Sequence, residues 1–145
     1  MLTDRLKLFR PNIDIYFKTT INVLSDNLMS YGFKISKIDD KESILHGEAW
    51  INKEDKVVIH FYFDNVGKLN SIMIHSMKKS IEDTIINSYH RKQRWIEKLY
   101  GKPDNTIENS MYNIKDYIWE LDECTIKHFI KDRFGDEEGI YFDIV

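Results

Sequence analysis

The chain has 145 residues with a formal net charge of −3, one cysteine, 42% hydrophobic residues and 13% aromatic residues. A chain of this length suits one domain with its own core, and this composition excludes an intrinsically disordered chain. The lone cysteine excludes an internal disulfide, which agrees with a reducing compartment. No run reaches the ~18 apolar residues of a membrane span, and the first residues lack a signal-peptide pattern. We therefore expect a single domain over residues 1–145 in the cytoplasm, with no membrane as partner.

The first predicted element is an amphipathic helix over residues 12–31. Its apolar side chains recur at spacings of three and four residues, and Gly32 suits the left-handed position that ends a helix. The apolar stripe consists of Ile13, Phe17, Ile21, Leu24, Leu28 and Tyr31.

The apolar period then changes to two, which indicates β-strands. A short strand, FKISKI, precedes three longer ones, SILHGEAWI, KVVIHFYFD and KLNSIMIHS, and the turns NKED and NVG join these three. Connections this tight join antiparallel neighbours. The stretch therefore predicts a meander of about four strands.

A second helix is predicted over residues 80–100. Ser80 can cap its first turn, the acidic side chains that follow suit the positive end of the helix dipole, and Gly101 with Pro103 ends it. The apolar stripe of this helix consists of Ile81, Ile85, Tyr89, Ile96 and Leu99.

A basic edge follows the same helix at Arg91, Arg94 and Lys98, with Trp95 beside it. Cations at these spacings share one helix face and could bind phosphate groups. Solvated surface charge is the alternative, and the acidic net charge of the chain favours it. We therefore predict no nucleic-acid partner.

Three more strands are predicted after the second helix, at YNIKDYIWEL, CTIKHFIKDRF and GIYFDIV. Helices that are segregated from antiparallel strands along the chain are typical of the α+β class. The predicted fold is a single α+β domain with an antiparallel sheet of about six to seven strands. Its two main helices pack on one face, in the order helix, β-meander, helix, β-meander.

The segment FGDEEGIYF, residues 134–142, places three consecutive carboxylates between two glycines. A calcium loop alternates its oxygen ligands around a central glycine, whereas Asp136, Glu137 and Glu138 are contiguous and would point apart. The glycines suit a turn between antiparallel strands. This pattern predicts the solvated tip of a hairpin and no metal site.

The alternation in the first meander predicts the two faces of the sheet. The face beneath the helices carries Ile59, Phe61, Ile72 and Ile74, and the opposite face carries His46, Glu48, Trp50, His60, Tyr62, Met73 and His75. Aromatic residues and methionine on an open sheet are typical of a protein interface. The alternatives are that the C-terminal strands or a loop cover this face, or that it is an ordinary half-polar exterior.

Within this face the expected pairing brings Glu48 opposite His60, with His75 diagonal to His60. His60 and Glu48 suit a base and its orienting carboxylate in a small-molecule-binding or hydrolytic domain with a pocket on this face, which is the alternative function. The spacing of these residues is not that of a zinc site, so we predict no metal.

No residue is predicted to be catalytic, and no cofactor is expected. Cys124 and His128 would lie about 13 Å apart on a strand, too far for a nucleophile and its base. The chain also lacks a glycine-rich phosphate loop, a serine-hydrolase motif and a zinc-protease motif.

Acidic residues concentrate towards the end of the chain. Residues 104–145 contain eleven Asp and Glu against four Lys and Arg. Such a field attracts basic partners and repels nucleic acid, although surplus charge also keeps small proteins in solution. The candidate partner-binding residues combine side chains of the sheet face with the strand DYIWELDE: Trp50, Tyr62, Met73, Asp116, Trp119, Glu120, Asp122 and Glu123.

Three segments, KLYGKPDN, DYIWEL and FYFDNVGKLNSIMI, carry a resemblance in architecture over about residues 60–135. In them the chain resembles small bacterial α+β immunity proteins, which neutralise polymorphic or contact-dependent toxins, and β-lactamase-inhibitor-like modules. The resemblance implies a non-enzymatic protein that binds another protein, with a basic toxin domain as the expected partner. It supplies no individual binding residue.

Overall fold

The computed structural model describes residues 1–37, 39–77, 84–109, 111–132 and 136–145. The fold is α+β, as predicted, and the described residues form two α-helices, an eight-stranded antiparallel sheet and a separate two-stranded hairpin. In chain order the elements are β1 (Arg5–Lys7), β2 (Asp14–Tyr16), α1 (Ile21–Leu28), β3 (Lys34–Lys37), β4 (Ser43–Trp50), β5 (Lys56–Phe63), β6 (Leu69–Ser76), α2 (Ile85–Tyr100), β7 (Asn105–Asn109), β8 (Ile114–Glu120), β9 (Cys124–Asp132) and β10 (Asp136–Ile144). Neither of these helices is long and apolar enough to cross a membrane.

Two meanders meet at the centre of the large sheet, whose strand order is β3-β4-β5-β6-β10-β9-β8-β7. β6 pairs with β10, so that Ile74 lies opposite Ile140 and Ile72 opposite Phe142. α2 connects β6 at the centre of the sheet to β7 at its far edge. A helix of 16 residues is about 24 Å long, enough to cross the roughly 19 Å of four strand spacings.

The large sheet has more strands than the six to seven predicted because β7 was not predicted. Its sequence, NTIEN, contains one apolar residue, so it shows no period-two pattern. Pairing with β8 places β7 at the edge of the sheet, where no second neighbour is needed.

The main core lies between the helices and one face of this sheet. The four residues predicted to lie beneath the helices are all buried: Ile59, Phe61, Ile72 and Ile74. Leu24 and Leu28 of α1 and Ile96 and Tyr100 of α2 belong to the same apolar cluster. The predicted faces of β5 and β6 are therefore confirmed.

The predicted first helix is wrong in its first half. Ile15 lies in β2, which pairs with β1, and both Ile15 and Phe17 are buried. The helix begins only at Ile21 and continues through a 3₁₀ turn to Gly32, whose φ of 90° confirms the predicted helix end. Ile13, Ile15 and Phe17 alternate as a strand requires, and pairing with β1 decides between that pattern and the helical one.

The second helix is confirmed from Ile85 to Tyr100, and its predicted cap Ser80 lies outside the described residues. In the described part Thr84 caps the helix, since its Oγ1 accepts a hydrogen bond from the backbone N–H of Asn87 at 3.1 Å. This satisfies one of the amide groups that the first turn leaves without a helical partner.

The buried face of α2 differs from the predicted apolar stripe. Three polar residues are buried in it: Ser88, Lys92 and Gln93. Leu99 is only half-buried, and Ile81 lies outside the described residues. The helix therefore brings hydrogen-bonding groups and a charge into the interior.

The pairing of β4 with β5 is shifted by two residues from the prediction. His46 lies opposite His60, and Glu48 lies opposite Val58. A shift of two keeps every side chain on the same face of the sheet. The predicted faces therefore hold although the predicted partners do not.

The residues Asp136, Glu137 and Glu138, predicted to form the tip of a hairpin, belong to a strand. They lie in β10, so the connection to β9 falls on residues 133–135, outside the described residues. Glu137 is exposed, whereas Glu138 is only 3% exposed. Neighbouring carboxylates do point apart, but the prediction of a solvated tip is wrong for Glu138.

Candidate functional site

One face of the large sheet is turned away from both helices and is half-exposed. We call it the open face and define it by the side chains His46, His60, Tyr62, Met73, His75 and Tyr141. Strand pairing aligns His46, His60, Met73 and Tyr141 in one row across four strands. The C-terminal strands extend the sheet edge to edge and do not cover this face.

His60 lies at the centre of a ring cluster on the open face. Its ring centroid is 5.8 Å from that of His46 and 5.3 Å from that of His75. Burial lowers the pKa of His60, and the charges of His75 and His46 lower it further. Burial also lowers the pKa of His75. His60 and His75 are therefore uncharged at neutral pH, which makes the centre of the open face aromatic rather than cationic.

The predicted pairing of Glu48 with His60 is wrong. Glu48 is exposed and forms an ion pair at 3.1 Å with Lys56, which lies diagonal to it on β5. Glu48 therefore does not orient His60 as a base, and the hydrolytic arrangement is not formed. Among the described residues, no group of three His, Cys, Asp or Glu side chains is placed to hold a metal ion.

Two of the four predicted acidic residues, Asp116 and Glu120, lie in β8 on the same side of the sheet as the open face. Pairing through β9 and β10 puts Glu120 on the same face as Tyr62, and Glu120 is exposed. Asp116 accepts a hydrogen bond from Asn109 at 2.9 Å and is half-buried. In the turn after β8, Asp122 is exposed, and Glu123 forms an ion pair with Lys18 at 3.0 Å.

The two predicted tryptophan anchors occupy different environments. Trp119 is 1% exposed, and its Nε1–H donates to the carbonyl oxygen of Gly101 at 2.9 Å. Its alternation with Glu120 turns it into the core, so its prediction as a surface anchor is wrong. Trp50 is half-buried at the end of β4, where its backbone pairs with Arg10.

A buried ionic network lies under α2 and was not predicted. Lys92 Nζ lies 3.3 Å from Glu138 Oε2 and donates to Ser88 Oγ at 2.5 Å. Ser88 and Ser76 both donate to the same carboxylate oxygen of Glu138, at 2.7 and 3.0 Å. These contacts fasten α2 to β6 and β10 with charged and polar groups instead of apolar ones.

The other oxygen of Glu138 is joined to a buried histidine. Its Oε1 lies 3.2 Å from Nε2 of His128, which is completely buried, and the Tyr89 ring stacks on the imidazole with centroids 3.9 Å apart. Nδ1 of His128 lies 2.8 Å from Gln93 Oε1. A neutral ring has one N–H, which it donates to Glu138. Nδ1 then accepts a hydrogen bond, so the side-chain amide of Gln93 is assigned in the flipped orientation, with its Nε2–H donating to Nδ1. This orientation also gives Nε2 of Gln93 the partner that it otherwise lacks among the described residues.

The network continues to the turn between β4 and β5. Lys92 Nζ lies 3.7 Å from Asp55 Oδ1, and the guanidinium of Arg91 binds both oxygens of that carboxylate at 2.7 and 3.2 Å. Asn52 donates to Asp55 Oδ2 at 2.9 Å. Because a bidentate arginine pair is directional, it fixes the turn against the helix.

Burial decides what this network can do. Ser88 and Lys92, four residues apart on α2, have the side chains of a nucleophile and a base, but they are 0% and 1% exposed. No substrate reaches them in this conformation, so their role here is structural. The sequence pattern of a helix predicts that a serine and a lysine such as Ser88 and Lys92 are exposed to solvent. Lys92 is buried beside its partner, Glu138, which lies 46 residues further along the chain.

Opposing effects set the pKa values inside the network. Burial lowers the pKa of His128, and the hydrogen bond to Glu138 opposes this without reversing it. Burial alone would raise the pKa of Glu138, but hydrogen bonds from His128 and Ser88 and the charge of Lys92 outweigh it, so the pKa is lowered. The native state therefore holds a neutral imidazole beside an ionised carboxylate.

We expect the free energy of unfolding to fall as the pH is lowered from about 7 to 5. The unfolded chain binds a proton at His128 near the ordinary pKa of 6.5, whereas the buried ring does so only at lower pH. Glu138 lowers the free energy of unfolding further as the pH falls below 4.5, its ordinary pKa, and this loss is complete once the pH is below the lowered pKa of the folded state. Urea titrations at several pH values measure this dependence.

A His128→Asn variant is the comparison for this prediction. His60 and His75 contribute to the dependence with the same sign, since their pKa values are also lowered, and both remain in the variant. The slope of unfolding free energy against pH is expected to be smaller in the variant. An unchanged slope between about pH 7 and 5 would contradict the assignment to His128.

No protein-family model, curated protein or solved structure matches this chain. The resemblance to immunity proteins is therefore still a prediction.

Proposed function

We propose that the protein is a non-enzymatic binding module that docks a basic partner protein on its open face, as an immunity protein docks the toxin that it neutralises. The observation that carries this proposal is the uncovered row of aromatic, imidazole and methionine side chains across four strands of the sheet. Protein interfaces are enriched in such residues at their centres.

The size of the open face suits an interface. The open face and the adjoining outward side of β9 span five adjacent strands, in the order β4-β5-β6-β10-β9, or about 19 Å across the sheet, and eight residues along a strand cover roughly 26 Å. The resulting area of about 500 Å² is most of the ~800 Å² that each partner contributes to a standard interface. The rest is available from the sheet margins, where Glu120 is exposed.

Charge favours a basic partner. The centre of the open face is uncharged because the pKa values of His60 and His75 are lowered. On this side of the sheet, Glu120 of β8 and Asp143 of β10 are exposed on the two strands that flank β9. The lysines Lys56 and Lys127 lie on the same side and pair with carboxylates, at 3.1 Å from Glu48 and 3.9 Å from Asp116. The exposed carboxylates Glu120 and Asp143, together with the excess of eleven Asp and Glu over four Lys and Arg in residues 104–145, favour a partner that presents apolar contacts beside basic groups.

Substitutions on the open face are expected to weaken binding of the partner. Tagged protein retains a basic partner from its host, and Tyr62→Ala or Met73→Ala weakens that complex by about 2 kcal/mol, or roughly thirtyfold. Surface plasmon resonance with the purified partner measures the change. Val23→Ala is the matched control, because Val23 is 55% exposed on α1.

Charge reversal separates steering from contact. Glu120→Lys is expected to slow association and to weaken its salt dependence, whereas Asp26→Lys, an exposed reversal on α1, leaves association unchanged. The captured partner is expected to be toxic when it is expressed alone. A non-toxic partner, or one that binds the open-face variants as tightly as the original chain, would contradict the proposed function.

A further inference from the structure

A second concave surface lies on a different part of the molecule. A cleft of about 730 Å³ opens between α2, the turn that joins β4 to β5, and the chain around β1. Leu8 and Ile51, both buried, contribute to its lining. Pockets that hold a small molecule of about the size of a drug or cofactor typically have volumes of about 300–1,000 Å³.

The cleft is lined with cations although the chain has a net charge of −3. Four exposed cations line it without an ion pair to any described residue: Lys7, Lys53, Arg94 and Lys98. Among the described residues that line the cleft, Glu54 is the one carboxylate, and it lies 3.4 Å from Arg91. Three separate segments of the chain supply these charges, so helix periodicity alone does not explain their convergence.

One wall of the cleft is fixed before any ligand binds. Arg91 is held by its two hydrogen bonds to the buried Asp55. Asn52 closes the turn, since its Oδ1 accepts from the backbone N–H groups of Glu54 and Asp55 at 2.8 and 2.7 Å. A site held in place in this way loses less freedom on binding than one built on mobile side chains.

Aromatic side chains stand beside the cations. Trp95 is half-buried on the same face of α2 as Arg94 and Lys98, and Phe9 is 41% exposed on the opposite segment. Planar rings stack on tryptophan, and cations bind phosphate or carboxylate oxygens. The lining therefore combines recognition of a ring with recognition of an anion.

We propose that this cleft binds a small anionic molecule that carries a planar ring, of the class of the nucleoside phosphates. Arg94 and Lys98 bind the phosphate groups, Trp95 stacks on the base, and the buried apolar floor excludes water beneath it. A bounded cleft suits a single small molecule, whereas a nucleic-acid strand requires an extended basic track. The site is independent of the proposed partner interface.

Titration with the four common nucleoside diphosphates tests the proposal, with the corresponding nucleosides and inorganic pyrophosphate as separate arms. Binding is followed by calorimetry and by amide shifts in two-dimensional NMR spectra. At least one diphosphate is expected to bind and to shift amides of α2 and of the turn that contains Lys53. The matching nucleoside and pyrophosphate are each expected to bind at least tenfold more weakly.

Variants locate the site. The double substitution Arg94→Gln and Lys98→Gln is expected to weaken diphosphate binding at least tenfold, and Trp95→Leu is expected to remove the preference over pyrophosphate. Lys37→Gln with Lys41→Gln changes the charge equally at exposed positions outside the cleft and is expected to leave binding unchanged. Absence of binding by all four diphosphates, equal affinity for pyrophosphate, or unchanged affinity in the Arg94 and Lys98 variant would overturn the proposal.

Discussion

Replacement of Lys92 by methionine is expected to lower the free energy of unfolding by about 3–5 kcal/mol. Methionine keeps an apolar stem and a similar helix propensity, so the loss comes from the missing ammonium group. That group lies 3.3 Å from Glu138 and 3.7 Å from Asp55, and both carboxylates are almost fully buried. Removal of one partner leaves buried negative charge that water does not reach.

Two further variants make the Lys92 result specific. Lys98→Met changes an exposed lysine of the same helix and is expected to shift stability by no more than about 0.5 kcal/mol. In the double variant Lys92→Met and Glu138→Gln, the carboxylate charge is also absent, and part of the loss is expected to be recovered. Urea denaturation measures all three, and a loss below about 1 kcal/mol for Lys92→Met would show that the network is open to water.

Replacement of Trp119 by alanine is expected to cost about 3–5 kcal/mol of stability. The indole is 1% exposed, belongs to the main core and donates a hydrogen bond to Gly101. The truncation leaves a cavity and also removes the partner of a carbonyl group. The effect is expected on the stability of the fold rather than on the association rate with a partner.

Trp50→Ala is the matched control, since Trp50 is a half-buried tryptophan at the end of β4. Its truncation is expected to cost clearly less than that of Trp119, because less apolar surface is withdrawn from water at this site. Chemical denaturation compares the two variants under the same conditions. Equal losses would mean that Trp119 does not lie in the core as the structure shows.

The sequence by itself determined the class of the fold and the faces of its central strands. Alternation with a period of two assigns Ile59 and Phe61 to one face and His60 and Tyr62 to the other, and this assignment does not depend on the register with the neighbouring strand. Helical spacing of the apolar residues, with Gly101 and Pro103 after them, placed α2 and its end. These features depend on residues close together in the chain, so a local pattern is sufficient to predict them.

Only the tertiary structure decided which residues meet. A two-residue shift between β4 and β5 leaves both faces intact but moves Glu48 from His60 to Val58, and the alternation cannot detect it. The burial of Lys92 depends on a carboxylate 46 residues away at Glu138. A buried charge is stable only beside its partner, and the cleft likewise assembles cations from three segments. The candidate sites therefore depend on long-range contacts, which no local pattern in the sequence encodes.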